Sequence, residues 1–426
     1  MKILHLSSFD LSGGAARSAY RIHQGLQSIG AASQMLVQFK SSDNRTISMS
    51  ENKVATRLRS SINTIPLRSY PHLKEFFSPQ WFPDAVVKRV SQINPTIINL
   101  NWICNGFLQV ETLAKLQKPL VWTLQDMWSF TGGCHYSQGC DRYKACCGNC
   151  PQLRSGRESD LSRSVWQRKA KAWRNLNLTV VAPSDWMARC ASASSLFQNV
   201  RIEVIPFGLD IKVFKPINAR IARELLNLPQ DKLLVLFGAI DATGDTRKGF
   251  HLLQTALENL SQAGWSDRIE LVVFGSSKPD QPVDLGFPIH YLGKLQDDLS
   301  LRIAYAAADV MIAPSVEEAF GQTASESLAC GTPAVVFTHT GLKDIVDHQQ
   351  NGYVASYCDT EDLAKGIAWI LEDSERHRNL RYAARKKAER EYSVEVQAHR
   401  YLSLFHEILN SSLVSNELDS ESIELS

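Results

Sequence analysis

Two carboxylates eight positions apart, Glu318 and Glu326, mark where chemistry concentrates in this sequence, within SVEEAFGQTASESLACGTPAVVF. A short β-rich run ends at Pro314, and the pattern after it predicts a helix opening near Gly321. The backbone N–H groups of Gly321, Gln322 and Thr323 then stand unpaired at a helix start. Free amides at the positive end of a helix dipole make a phosphate site. Glu326, near the end of the first turn, reaches toward hydroxyls beside that phosphate, and Glu318 points into the same mouth from the preceding loop. Two acids flanking an anion site make little sense for a plain phosphate binder. They suit a site that grips the hydroxyls of a sugar nucleotide. The plainer alternative makes Glu326 a dipole partner and Glu318 a surface loop charge. Spacing alone leaves both open.

The elements that must position these residues alternate between strand and helix. In the first half, Lys2–Ser7, Ala32–Val37, Thr96–Leu100, Leu120–Leu124 and Leu178–Ala182 read as strands. A Gly13–Gly14 turn follows the first, then a helical pattern through Ala19, Ile22, Leu26 and Ile29. In the second half, Leu233–Phe237, Glu270–Phe274, Ile289–Leu292, Val310–Ala313 and Ala334–Phe337 are β-rich, with helical patterns at Phe250–Leu260, Asp297–Ala308 and Thr323–Ala329. Such alternation argues for parallel βαβ units, whose ligands bind at the carboxyl ends of strands. The expected fold class is α/β, two doubly wound Rossmann-like domains facing a central cleft. We expect an N-terminal domain over 1–203, a linker over 204–216 (VIPFGLDIKVFKP) and a C-terminal domain over 217–409 whose last helix crosses back. A polar, acidic tail, 410–426, is expected to fray.

Several phrases appear in a telling order: VAPSDWMA, VIPFGLD, YAAADVMIAPS, EEAFGQTASE, ACGTPAVVF and NGYVA. In these the chain, from MKILHLSS to about residue 405, resembles the retaining glycosyltransferases of family 4, which have the GT-B fold. TLQDMWSFTGGCHYS brings it nearest to members that build bacterial exopolysaccharides and other surface glycans. The resemblance implies that Glu318 holds donor-sugar hydroxyls near the reacting carbon and that Glu326 binds ribose. It implies that the Phe320, Gly321, Gln322 and Thr323 backbone holds the distal phosphate and part of the sugar. Arg247 and Lys248 match the basic loop that neutralises the leaving diphosphate; read alone, they are solvated loop charges. The arginine usual after the preceding strand is missing from GAIDATGD, so Arg247 is expected to substitute. Gly13 and Gly14 match a glycine loop that admits phosphates, or else a simple turn. Gly275 and Tyr291–Gly293 fall where the base would lodge, as any strand end would. Asp126 is retained on the acceptor side, but Gln125 and Asn101 replace two histidines. Amides hydrogen-bond without serving as bases. Attack from the front face, with the departing phosphate taking the acceptor proton, tolerates that loss.

The implied function is transfer of a sugar from a UDP- or GDP-linked donor to a glycan or polyprenyl-linked acceptor, with no cofactor required for catalysis. The alternative is a non-catalytic GT-B module that binds a nucleotide or glycan. A net charge of +2 advertises no nucleic-acid partner, and 44% hydrophobic with 21% charged residues is ordinary soluble composition. No apolar run is long enough to span a bilayer, so a cytoplasmic protein is expected, with membrane contact at most peripheral at the inner face. Two basic, aromatic stretches, Arg57–Phe82 and Arg163–Arg174, suit such contact, and solvated helix faces explain them equally. Cys134, Cys140, Cys147 and Cys150, with Cys146 adjacent, fit a structural zinc site; buried thiols or disulfides formed after isolation are the other readings. A paired-Rossmann dehydrogenase is excluded because SGGAARS lacks the G-x-G-x-x-G fingerprint.

Overall fold

The computed structural model describes residues 1–73, 75–239, 244–278, 285–295 and 297–424, with side chains as far as 411. The chain divides into two compact units: Met1–Pro183 with Met187–Ile205 and Glu395–Ser426, and Pro206–Val394 with Ser184–Trp186.

The first unit is built on seven strands: β1 (Lys2–Phe9), β2 (Ala32–Phe39), β3 (Ile47–Met49), β4 (Ile97–Leu100), β5 (Leu120–Thr123), β6 (Leu178–Ala182) and β7 (Arg201–Val204). All pair in parallel, in the order β3-β2-β1-β4-β5-β6-β7. β1 (KILHLSSF) is buried at six consecutive central positions, its His5, Ser7 and Ser8 included, as a parallel sheet covered on both faces demands. The helix Val394–Glu424 covers part of one face, burying Ala398, Tyr401, Leu404 and Phe405 against Ile3, Ile97, Val121 and Val181. Its Tyr401 hydroxyl bonds Thr123 Oγ1 at 2.8 Å. This helix continues past Asn410, where the sequence predicts fraying.

The second unit has six parallel strands: β8 (Leu233–Gly238), β9 (Ile269–Phe274), β10 (Ile289–Tyr291), β11 (Val310–Ala313), β12 (Ala334–Phe337) and β13 (Gly352–Ala355). Their order is β10-β9-β8-β11-β12-β13. Alternation along β8 splits its core: Leu234 and Leu236 face one side with Met311, Ala324 and Leu328, and Val235 and Phe237 face the other with Leu257, Ile312 and Val335.

Both sheets share one topology. Order reverses between β1 and β4 in the first unit and between β8 and β11 in the second. Crevices at the carboxyl ends of such strand pairs are where open α/β sheets take ligands. Gly13 and Asn101 follow β1 and β4; Lys248 and Glu318 follow β8 and β11. Val204 is the last residue of β7, and the units divide after Ile205, so the expected linker begins inside a strand. Among the described residues, no helix is long and apolar enough to cross a membrane.

Candidate active site

In the second unit, one largely buried cluster of charge joins residues 70 positions apart. Lys248 Nζ donates to Glu318 Oε2 at 2.6 Å, and Arg247 Nη1 lies 3.9 Å from the same oxygen. A helical turn at Thr246–Lys248, capped by the Asp245 side chain, presents both cations. Arg247 is itself clamped: its guanidinium donates to Asp245 at 2.7 Å and to the Glu317 carbonyl at 3.1 Å, while its own carbonyl accepts from the Val316 amide. Gly249 makes this approach possible. It holds φ at +73°, and a Cβ there would fall 1.9 Å from the Pro314 carbonyl oxygen. Burial raises the Glu318 pKa, but the charges of Lys248 and Arg247, with hydrogen bonds from Lys248 and the Ala319 amide, outweigh it. The carboxyl is held below its ordinary range.

Beyond Glu318 the chain opens a helix at Gln322–Ala329, with Gly321 as its N-cap at φ +103° and no side-chain cap bond. A Cβ on Gly321 would lie 2.1 Å from Leu342 Cδ2, so only glycine packs there. Phe320 is buried edge-to-face against Phe207 and Tyr392, which fixes the direction in which this helix starts. The amides of Gln322 and Thr323 thus sit at a helix N-terminus beside a carboxylate paired with two cations. Glu326 lies one turn further in. It is buried and accepts a hydrogen bond from the Tyr305 hydroxyl at 3.0 Å. Gly275 follows β9, and its amide donates to the Gly293 carbonyl at 2.7 Å, so these two loops meet. Residues 240–243 of GAIDATGD lie outside the described residues.

In the first unit, Gly13 is the N-cap of the helix Gly14–Ser28 at φ +87°. Ser18 on that helix donates to Gln125 Oε1 at 2.6 Å, and Gln125 Nε2 reaches Asn101 Oδ1 at 3.4 Å. The structure therefore joins the helix that follows the glycine loop to Gln125 and Asn101. Asp126 belongs to a neighbouring network: it accepts from Trp102 Nε1 at 2.8 Å and the Trp128 amide at 2.8 Å, and pairs with His135 Nδ1 at 2.6 Å. His135 Nε2 bonds Ser78 Oγ at 2.9 Å. Burial raises the Asp126 pKa, but the charge and hydrogen bond of His135, with the Trp128 and Trp102 donors, bring it below the ordinary value. Sequence reading missed His135, although it sits in the quoted phrase CHYS, nine positions from Asp126. Of the two basic, aromatic stretches, Arg163–Arg174 is a packing element: Lys169 and Trp173 are buried and Arg168 binds Glu111 at 2.7 Å.

The two Rossmann-like units make a chain structurally similar to GT-B glycosyltransferases. Over 96% of this chain and 100% of the other, the fold is similar to sucrose-phosphate synthase from Thermosynechococcus elongatus, with a TM-score of 0.67 at 18% identity. Residues 222–387, which hold Lys248, Glu318 and Glu326, match the family described as Glycosyl transferases group 1. The chain is 35% identical over 208 residues to a D-inositol 3-phosphate glycosyltransferase of Xylanimonas cellulosilytica, across 45% of this chain and 48% of the relative. It is 33% identical over 190 residues to a GDP-mannose-dependent alpha-(1-6)-phosphatidylinositol dimannoside mannosyltransferase of Mycobacterium tuberculosis, across 43% and 47%. The chain thus matches about half the length of these curated relatives.

Proposed function

We propose that this chain is a glycosyltransferase that moves a sugar from a nucleotide-diphosphate donor to a glycan or lipid-linked acceptor, with retention at the anomeric carbon. The observation that carries the reading is the Lys248–Glu318 pair, with Arg247 beside it, at the N-terminus of Gln322–Ala329. In this reading, Lys248, Arg247 and the helix amides take up charge as the anomeric carbon–oxygen bond to the diphosphate breaks. That clamp does the work a metal ion does in other transferases. Glu318 holds donor-sugar hydroxyls, and Glu326, oriented by Tyr305, holds ribose. The acceptor oxygen attacks the same face the diphosphate leaves, and its proton passes to the departing phosphate oxygen. The transition state has oxocarbenium character. The donor nucleotide is UDP or GDP; the GDP-mannose dependence of one relative fits the second.

Two features of the first unit support the acceptor assignment, which we place in surface-polysaccharide synthesis. Phe76 is 56% exposed and lies against His135 and Trp102, with centroids 4.7 and 5.9 Å away, a flat apolar ring suited to a sugar face. The helix Lys53–Asn63 exposes Val54 and Leu58 beside Lys53 and Arg57, which suits peripheral contact with an anionic membrane carrying a lipid-linked acceptor. Flotation with anionic vesicles, lost in Leu58→Asp, is the expected outcome; equal flotation of both chains would remove the membrane from the reading.

The decisive assay is release of UDP or GDP from a panel of nucleotide sugars with and without glycan acceptors, using Glu318→Ala as control. Release by the native chain and none by the control is expected. Tight nucleotide binding with no release from any donor would leave a binding module. The amide pair Asn101–Gln125, which offers no titratable ring, is the observation that favours that second reading.

A further inference from the structure

The cysteine-rich loop of the first unit lies outside the donor-site reading and stands or falls separately from it. Cys134, Cys140, Cys147 and Cys150 are spread over the loop, yet all four line one cavity of about 20 Å³. None of the nine cysteines is in a disulfide. A cavity of this size admits one water or one ion, and is too small for a multi-iron cluster. We propose that these four thiols form a structural site for a single soft divalent metal, zinc by its preference for thiolates.

Three observations point the same way. First, backbone amides are aimed at sulfur: the Gln152 and Leu153 N–H groups at Cys150, and the Gly132 N–H at Cys147. Burial raises both thiols on balance, and what the amides add is donors positioned at the two sulfurs. A Cβ on Gly132 would stand 2.9 Å from the Cys147 sulfur, so the glycine is what lets the sulfur approach this backbone. Second, Cys147, Gly148 and Asn149 hold left-handed φ values of 49°, 100° and 45° in succession. A cysteine in that region is strained unless its surroundings fix it, and a metal bridging Cys147 and Cys150 would fix it. Third, four thiolates around a divalent ion leave net negative charge, and cations surround the loop. Arg142 lines the cavity, and Arg163 Nε donates to the Cys147 carbonyl at 3.0 Å.

As placed, no three Cys, His, Asp or Glu side chains among the described residues already form a metal shell, so binding requires the four thiols to reorient toward the cavity they line. Cys146 does not line the cavity and is excluded from the ligand set.

The test is metal analysis of the full chain purified under reductant from zinc-supplemented cells. About one zinc per chain is expected, released by a mercurial thiol reagent and unchanged in Cys146→Ser. Cys147→Ser and Cys150→Ser should each lose it. Because those variants can misfold, the native chain is also reloaded with Co²⁺, where a four-thiolate tetrahedral site gives intense visible d–d bands with sulfur-to-cobalt charge transfer. Any of three results overturns the proposal: no stoichiometric zinc and no cobalt spectrum in the native chain, zinc retained in both serine variants, or iron with labile sulfide in its place.

Discussion

Breaking the Lys248–Glu318 pair from either side should move nucleotide affinity in opposite directions. At 2.6 Å, with an effective dielectric of about 20, the Coulomb attraction is roughly 6 kcal/mol. Desolvation of two side chains left only 18% and 15% exposed offsets most of it. A net loss of about 1–3 kcal/mol in stability is expected when either partner is removed from the unliganded protein. Binding separates them. Lys248→Met removes a cation that would face the diphosphate and leaves the carboxylate offset only by Arg247 at 3.9 Å, so UDP or GDP affinity should fall about 10- to 100-fold, or roughly 1.4–2.8 kcal/mol. Glu318→Gln removes that carboxylate and frees Lys248, so nucleoside diphosphate should bind as tightly as before or up to about 10-fold tighter. Transfer should nevertheless fall at least about 100-fold, because a neutral amide still hydrogen-bonds sugar hydroxyls but supplies no negative charge to offset the positive charge developing on the sugar. Titration calorimetry with UDP and GDP at two salt concentrations reads the affinities, and thermal melts of the free proteins read the stabilities. If both variants weaken binding alike, or neither alters it while both lose stability, the pair is a structural brace and the donor-site reasoning fails.

Three further perturbations test the surrounding structure. Gly249→Ala places a Cβ 1.9 Å from the Pro314 carbonyl at φ +73°, so it should cost about 1–3 kcal/mol and displace Lys248; native stability with native nucleotide affinity would contradict this. Tyr305→Phe removes the 3.0 Å hydrogen bond to buried Glu326, and we expect a loss of about 1–2 kcal/mol with a few-fold weaker nucleotide binding. Unchanged affinity would detach Glu326 from ribose. The third test concerns acid. Burial pushes the His23 imidazole down to about 4, and His5, bonded through the same Ser33 hydroxyl, is also held well below its ordinary value by burial and by His23. Between pH 6.5 and about 4 the unfolded chain takes a proton that folded His23 refuses, so stability is lost as pH falls through that window. At pH 4 this amounts to about 3 kcal/mol from His23 alone. His23→Asn should flatten the stability–pH curve by that amount, and parallel curves from pH 7 to 4 would refute the assignment.

The strands legible in the sequence were those with apolar runs, such as the expected Leu233–Phe237, observed as Leu233–Gly238, because both faces of a parallel sheet are buried. Three strands carried no such signal. β3 has three residues, the edge strand β7 reads RIEV and is half exposed, and β13 opens on a glycine. For the candidate site, residue types and local order were legible: the glycine N-cap, the acid before it, and the basic turn. What was not legible is pairing across the fold. Nothing local to Glu326 names Tyr305, and nothing local to Lys248 names Glu318; packing of the helix Asp298–Ala307 on Gln322–Ala329 makes the first pair, and the adjacency of β8 and β11 makes the second. His135 was hidden for another reason. The ring that contacts Asp126 arrives from nine residues downstream, through an irregular loop whose sequence carries no periodic signal for the pairing.

The C-terminal helix has a consequence for how the protein is made. Tyr401, Leu404, Phe405 and Ile408 complete the hydrophobic core formed by Ile3, Ile22, Ile97 and Val181. These residues leave the ribosome only after the whole second unit has been translated. During synthesis, the N-terminal sheet must therefore wait with an apolar face uncovered while the unit downstream of it becomes complete first. Expression of residues 1–205 alone would leave that face open to aggregation. A nascent chain stalled before Val394 is the stage at which chaperone engagement should be greatest.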